Sequence, residues 1–197
     1  MAAPLAIAHT HVHSLRLASG AEALVARVLA AGGTAGYGFT LNDDAGVARD
    51  MAAWDALARS KGVSLCGLFG KSGQKIRIEK DEDPSVPADW SALRKAILEK
   101  RYKLLRIDPF AWGSLEMVQT IAASAQGVPI ALLAPNAHPW ELQYCAALAA
   151  ALANDTRIIS RKDLQEKELQ VNAAPGIGID WSVEAGYSQI RWQGPPG

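Results

Sequence analysis

The chain has 197 residues, of which 49% are hydrophobic and 20% are charged, and its 20 basic residues balance its 20 acidic ones. This length and composition predict a soluble globular protein of one domain, or of a small and a larger domain. The zero net charge removes the electrostatic argument for a nucleic-acid or anionic-membrane partner. No apolar run reaches the roughly 18 residues of a membrane helix, no signal peptide is recognisable, and Cys66 and Cys145 form no zinc or disulfide pattern. We therefore expect a cytoplasmic protein.

Residues 1–70 predict a small unit of strands and one helix. The Gly-Gly pair at residues 32–33 lies between apolar, β-prone runs, which is typical of a hairpin. Asp44, at the end of an Asn-Asp-Asp sequence, is a suitable N-cap for a helix with apolar residues at helical spacing that ends at Gly62. The strands of this unit are predicted at residues 7–17, 22–29 and 34–40.

Residues 71–90 form a polar seam, and residues 91–197 alternate between helix and strand. Pro84 and Pro87 exclude a helix from the seam, and Asp89 is placed to cap the next helix. Alternation of helices and strands favours a parallel sheet with helices packed on it. The helices are predicted at residues 91–100, 115–125 and 140–152, and the strands at 103–107, 129–133 and 157–159.

Three sequence motifs are distinctive: GGTAGYG at residues 32–38, ARDMAAWDALA at residues 48–58, and the tail PGIGIDW at residues 175–181. They resemble motifs of the enolase superfamily, in its mandelate racemase/muconate lactonizing enzyme branch, where the tail returns toward the cap. The resemblance implies an α/β fold in which a small α+β capping domain (1–70) lies on an incomplete, half βα-barrel-like parallel array (91–197) with a C-terminal return segment.

The same resemblance implies a catalytic pair. Asp108 matches the Asp that ends the family's sixth barrel strand, and Gly113 and Ser114 follow it at the spacing of the family's Gly-Gly. His138 matches the His of the next strand, and together they would abstract a proton α to the carboxylate of a hydroxy acid. Side chains at the carboxyl ends of barrel strands are where substrates bind. The alternative is that Asp108 caps its own turn and His138 is a loop residue before Pro139.

The family's magnesium site is only partly matched. Its members hold Mg²⁺ with three carboxylates from strands three to five, and Glu82 resembles the ligand in the E-x-P sequence of the fourth strand. The other two ligands have no counterpart, and Ser160 stands where the branch carries Glu on its eighth strand. A complete barrel needs about 250 residues, so several strands are missing. Because Mg²⁺ requires several oxygen ligands, we expect its binding to the isolated chain to be weak or absent.

Three functions remain open. In the first, the chain is a shortened lyase or isomerase subunit, like a mandelate racemase or a sugar-acid dehydratase, whose small carboxylate substrate is turned over once a partner completes the barrel. In the second, it is a non-catalytic relative that acts as a binding or assembly module. In the third, it is a metal-dependent hydrolase that uses His9, His11 and His13, which share one face of a strand. Because open parallel strands leave unpaired edges, we expect a homo-oligomer or a hetero-oligomer with a larger subunit.

Overall fold

The computed structural model describes residues 5–71, 73–81, 89–99, 101–112, 115–125, 127–152 and 154–192. Within these ranges the predicted helices and strands are present, with ends that differ by at most two residues. No helix of the described ranges is long and apolar enough to cross a membrane. The strands are β1 (Ile7–Arg16), β2 (Glu22–Ala30), β3 (Ala35–Thr40), β4 (Lys75–Lys80), β5 (Leu105–Ile107), β6 (Ile130–Leu133), β7 (Thr156–Ser160) and β8 (Glu168–Gln170), and the helices are α1 (Ala45–Ser60), α2 (Trp90–Leu98), α3 (Leu115–Ser124) and α4 (Pro139–Ala151).

The first unit is a three-stranded antiparallel sheet, in the order β1-β2-β3, with α1 packed on one face. The helix begins at its N-cap Asp44, whose carboxylate accepts hydrogen bonds from two backbone N–H groups of the first turn. Gly36 and Gly38 allow α1 to touch the sheet through backbone atoms. A Cβ atom at either position would lie 2.2 Å from a backbone oxygen of α1, that of Ala52 or that of Ala48. The close approach therefore requires glycine at both positions.

The second unit is a five-stranded sheet in the order β5-β6-β7-β4-β8. Its first four strands are parallel, and the short edge strand β8 is antiparallel to β4. The segment that we separated as a polar seam thus supplies β4, which pairs with β7 through Ile78 and Ile158. The alanine-rich helix α4 is buried along most of its length, as expected for a helix enclosed by other elements. The predicted α/β fold with a mostly parallel sheet is confirmed.

Hydrogen bonds and aromatic rings join the two units. Asp50 of α1 accepts a hydrogen bond from Leu115 N, the first residue of α3, at 2.9 Å. Between the units, the ring of Phe39 in β3 packs against Trp140 of α4 and against Trp181 of the C-terminal segment, with centroid separations of 5.5 and 6.2 Å. One hydrophobic core therefore extends through both units.

The C-terminal segment is tied to the first unit by Asp55, a fully buried residue of α1. Its carboxylate accepts hydrogen bonds from Tyr37 N at 2.9 Å, Ile177 N at 2.7 Å and Arg59 Nε at 2.6 Å. Gly176 has a φ of +109°, and a Cβ atom there would lie 2.3 Å from the Asp55 carboxylate. The match of the tail to the family motif thus corresponds to a packed contact in which glycine is required.

Candidate functional site

A cleft of about 340 Å³ lies between the turn that joins β1 to β2 and the carboxyl ends of β6 and β7. The turn, residues 17–21, is closed by hydrogen bonds from Leu17 N to Ala21 O and from Gly20 N to Leu17 O, both of 2.9 Å. The carboxyl ends of parallel strands are where α/β proteins bind ligands. The cleft is lined by Leu17, Ser19, Ala21, Leu41, Asn136, Ala137, His138, Pro139 and Lys162.

His138 is the N-cap of α4 and is one of the residues that line the cleft. Its Nδ1 accepts a hydrogen bond from Trp140 N at 3.2 Å. Because Nδ1 uses its lone pair in this bond, a neutral imidazole carries its hydrogen on Nε2. Nε2 lies 3.0 Å from Glu184 Oε1 and donates to it. Both ring nitrogens are therefore engaged, whereas a general base needs a lone pair directed at its substrate.

Glu184 belongs to the C-terminal segment and connects His138 to the β1–β2 turn. Its second oxygen, Oε2, accepts a hydrogen bond from Ala18 N at 2.9 Å, and the residue is only 7% exposed. Burial opposes ionisation of this carboxyl group, but the bonds from His138 and Ala18 outweigh it and lower the pKa of Glu184. An ionised carboxylate thus holds the turn at the edge of the cleft.

Lys162 supplies a positive charge to the cleft. It follows β7, and its ammonium donates to Asn136 O at 3.0 Å, which leaves two of its three hydrogens for another acceptor. Next to Asn136, Ala137 has a φ of +54°, a left-handed conformation that is strained for any residue with a Cβ atom. Among the described residues that line the cleft there is neither Asp nor Glu. The Lys162 ammonium thus suits the cleft to an anion, beside a Glu184 carboxylate that already accepts hydrogen bonds from His138 and Ala18.

Asp108 follows β5 directly and does not line the cleft. Its Oδ1 accepts hydrogen bonds from Phe110 N at 2.9 Å and Ala111 N at 3.2 Å, so the carboxylate caps its own turn. Burial raises the pKa of this carboxyl group. Within the described ranges no hydrogen bond joins Asp108 to His138, although both follow neighbouring strands at the same edge of the sheet. Their predicted catalytic partnership stays a prediction.

Two further carboxylates near the strand ends are paired with arginine. Arg106 of β5 donates through Nε to Asp81 at 2.7 Å, and Arg157 of β7 contacts both oxygens of Glu79 at 3.1 and 3.2 Å. In the strand register Arg106 and Arg157 are the neighbours of Ala131 of β6 on its two sides, so both arginines lie on the same face of the sheet. On this face the guanidinium groups neutralise the carboxylates and occupy the space beside them.

The three histidines of β1 do not form a metal site. Residues two positions apart in a strand are separated by roughly 6.6 Å, so His9 and His13 are about 13 Å apart along β1. The described part of the chain, which includes all three histidines, contains no group of three or more His, Cys, Asp or Glu able to hold a metal ion. Instead, the ring of His13 packs edge-on against Trp192, with centroids 5.0 Å apart. The histidine-based hydrolase is therefore not supported.

A larger hollow of about 510 Å³ lies at the opposite edge of the sheet, where β6 and β7 begin. Its walls are mostly apolar and include Ala122, Val128 and Leu152, with Asn154 and Asp155 at the rim. Size alone makes such a hollow the first choice for a ligand site. The smaller cleft is the better candidate because it combines the strand ends, the β1–β2 turn, an ammonium and an imidazole.

The structural comparisons identify the fold. The chain is similar to a mandelate racemase/muconate lactonizing enzyme from Bordetella bronchiseptica RB50, with 13% identity, a TM-score of 0.63, and coverage of 92% of this chain and 99% of that chain. It is also similar to the L-talarate dehydratase of Polaromonas sp. JS666 complexed with Mg and L-glucarate, with 14% identity, a TM-score of 0.64, and coverage of 92% of this chain and 97% of that chain. A racemase from Streptomyces coelicolor A3(2) with bound magnesium is similar as well, with 10% identity, a TM-score of 0.66, and coverage of 93% of this chain and 100% of that chain. No protein-family model and no curated protein matches the sequence. The predicted resemblance is thus confirmed at the level of the fold.

The strand order shows which part of the barrel is present. The resemblance counts β5, β6 and β7 as the sixth, seventh and eighth strands. In a closed barrel the eighth strand neighbours the first, and β7 pairs in parallel with β4. By this count β4 corresponds to the first strand, which disagrees with the E-x-P resemblance, because that resemblance assigned Glu82, two residues beyond β4 in sequence, to the fourth strand. Between β4 and β5 the described residues contain α2 and no strand that would correspond to strands two to five.

The residues that are described do not fit the family's magnesium site. Its three carboxylates come from strands three to five, which have no counterpart among the described residues, and the carboxylates beside β4 are paired with Arg106 and Arg157. Of the ligands predicted from the sequence, Glu82 lies outside the described residues, as do Gly113 and Ser114 beside Asp108.

The sequence analysis missed Lys162 and Glu184. Lys162 follows β7, and the rule that ligands bind at strand ends applies to it as much as to Asp108. Glu184 follows the tail motif by three residues, and that motif was expected to return toward the cap. A search for acidic residues just beyond the tail would have found Glu184.

Proposed function

We propose that the chain binds a small carboxylate, of the hydroxy-acid class, in the cleft between the β1–β2 turn and the sheet, without magnesium chemistry of its own. The observation that carries this proposal is the composition of the cleft. Lys162 provides a positive charge at the strand ends, and the described lining residues include no carboxylate. A similar fold, that of the L-talarate dehydratase, is described in complex with L-glucarate, a hydroxy diacid.

The cleft offers the groups that recognise such a ligand. Hydrogen bonds between an ammonium and a carboxylate are charge-assisted and about twice as strong as neutral ones. Ser19, on the β1–β2 turn, can donate to or accept from a ligand hydroxyl group. The volume of about 340 Å³ is at the lower end of the range of small-molecule sites, which favours a compact ligand.

Calorimetric titration with L-glucarate in the presence of EDTA tests this function. We expect the wild type to bind and Lys162→Met to lose roughly tenfold or more in affinity, since a hydrogen bond to a charged group contributes about 1.5–3 kcal/mol. Lys61→Met, at an exposed lysine just beyond α1, is the matched control and should bind like the wild type. Absence of binding, or equal affinities of the two variants, would contradict the proposal.

A second candidate is proton abstraction by Asp108 and His138 in an oligomer. It is supported by the positions of these residues after neighbouring parallel strands, and by the edges of β5 and β8, each three residues long, that lack a second partner strand among the described residues. A second copy or a larger subunit would then complete the sheet and supply oxygen ligands for Mg²⁺.

Exchange of the α-proton of L-glucarate in D₂O, measured by NMR with Mg²⁺ present, separates the two candidates. The isolated chain should show no exchange. If an oligomer is active, His138→Asn should abolish exchange while the helix cap is preserved, because Asn is also a good N-cap residue. Sedimentation velocity at micromolar concentration identifies the species responsible, and a single monomeric species would contradict the oligomer.

A further inference from the structure

We infer that Ala18 N–H and His138 Nε2–H form a carboxylate receptor at the wall of the cleft, and that Glu184 of the same chain occupies it. The two donors meet one carboxylate, with Ala18 N 2.9 Å from Oε2 and His138 Nε2 3.0 Å from Oε1. Each oxygen therefore has its own donor. Such an arrangement recognises a carboxylate from any source.

The receptor adjoins the cleft through both of its donors. Ala18 lies between Leu17 and Ser19, which line the cleft, and His138 is a lining residue as well. The Glu184 residue is 7% exposed and the His138 side chain 10% exposed, so the bond between them is shielded from water. In a shielded place a hydrogen bond contributes more than at the surface, and an unpaired donor costs more.

The donor role of His138 is fixed by its own helix. Nδ1 accepts the Trp140 N–H, so the hydrogen of the neutral ring lies on Nε2 and points at Glu184. With Glu184 removed, the ring keeps this orientation and the N–H is left without an acceptor. Both donors of the receptor therefore belong to α4 and the β1–β2 turn, and neither belongs to the segment that carries Glu184.

This arrangement makes Glu184 an internal competitor of the ligand. The inference rests on the proposed function in one respect, namely that the carboxylate normally excluded by Glu184 is that of the ligand in the cleft. A ligand carboxylate can reach Ala18 and His138 only when Glu184 withdraws. Glu184 lies in the segment in which the Trp181 and Tyr187 rings stack with their centroids 4.9 Å apart. Binding at this receptor is thus coupled to displacement of the Glu184 side chain.

Chemical rescue tests the receptor directly. Glu184→Ala removes the internal carboxylate and leaves a space that acetate can fill. We expect the variant to have a lower Tm than the wild type in sodium chloride, and to regain most of the loss in sodium acetate of equal ionic strength. Glu184→Gln is the matched control, because its side chain fills the same space and should not respond to acetate. In ¹⁵N NMR, the His138 ring and the Ala18 amide of Glu184→Ala should shift in a saturable way with acetate.

Equal effects of acetate on the wild type, Glu184→Ala and Glu184→Gln would overturn the inference, since they would reflect only bulk solvent. Should Glu184→Ala fail to fold in chloride, folding in acetate alone supports the receptor, and failure in both salts overturns it. The outcomes are separable from those of the proposed function. If the wild type binds L-glucarate but acetate does not rescue Glu184→Ala, only the receptor is refuted. If acetate rescues Glu184→Ala but the wild type does not bind L-glucarate, only the proposed function is refuted.

Discussion

Replacement of Asp55 by alanine should destabilise the protein strongly, although Asp55 lies far from the cleft in sequence. The substitution leaves the N–H groups of Tyr37 and Ile177 without their acceptor and removes the partner of Arg59. Each buried donor left unpaired costs about 1–3 kcal/mol, so the two N–H groups give roughly 2–6 kcal/mol. Burial raises the pKa of Asp55, because desolvation of the carboxylate outweighs its interactions with Arg59, Ile177 N and Tyr37 N. We therefore base the magnitude on the N–H groups alone.

Thermal unfolding and amide hydrogen exchange measure this effect. For a chain of this length 1 kcal/mol corresponds to about 2–4 °C, so Tm should fall by roughly 5–20 °C. Asp163→Ala is a matched control, because Asp163 has the same i,i+4 pairing with a cation at the same 2.6 Å but is exposed. Its removal should leave Tm unchanged. Equal Tm values for the two variants, or an Ile177 amide that stays protected in Asp55→Ala, would refute the role of Asp55 as the tie between tail and cap.

Four further outcomes follow from the structure. Gly36→Ala should lower stability by about 3 kcal/mol or more in denaturant unfolding, because its Cβ would lie 2.2 Å from backbone atoms of α1, whereas Gly32→Ala, with open space around it, should not. Ala137→Gly should raise stability by up to about 1 kcal/mol by relieving a φ of +54°, while Ala53→Gly within α1 should lower it by about 1 kcal/mol. Titration of Mg²⁺ into the isolated chain should give no one-site isotherm of micromolar affinity, and a clear one would show that a metal site exists. The pKa of Glu184 is lowered from 4.5, so the stability that its ionised carboxylate contributes should be complete above pH 4.5 and be lost only below it. The Tm difference between wild type and Glu184→Gln should therefore shrink in acid. A Tm difference that grows in acid would contradict this.

The fold was largely predictable from the sequence because its signals are local. Asp44 and Asp89 cap the helices that begin beside them, as predicted. The strand β8 was not predicted, since three residues are too few to establish a strand pattern and β8 pairs with β4, which is distant in sequence. The order of the strands was not predicted either, because the pairing of β4 with β7 joins residues distant in sequence.

The site was less predictable, because its contacts are formed by residues far apart in sequence. His138 was singled out by its residue type, but the carboxylate that accepts its Nε2 hydrogen bond, that of Glu184, is 46 positions away. The link between Ala18 and Glu184 spans 166 positions and involves a backbone N–H that no sequence motif marks. Asp108 was correctly placed at a strand end, yet whether its carboxylate faces a ligand or its own turn depends on the backbone path of residues 109–111, which the sequence does not define.

The position of β4 has a consequence for how the chain folds during synthesis. β4 is made early, but its parallel partner β7 is made about 80 residues later and β8 later still. Until then Ile76 and Ile78, which are 2% and 4% exposed in the native sheet, have no strand on either side. Such non-local parallel pairing forms slowly, and unpaired apolar strands are prone to aggregate. The nascent chain should therefore pass through a state in which the cap is formed and β4 is exposed, and that state is where chaperones would act.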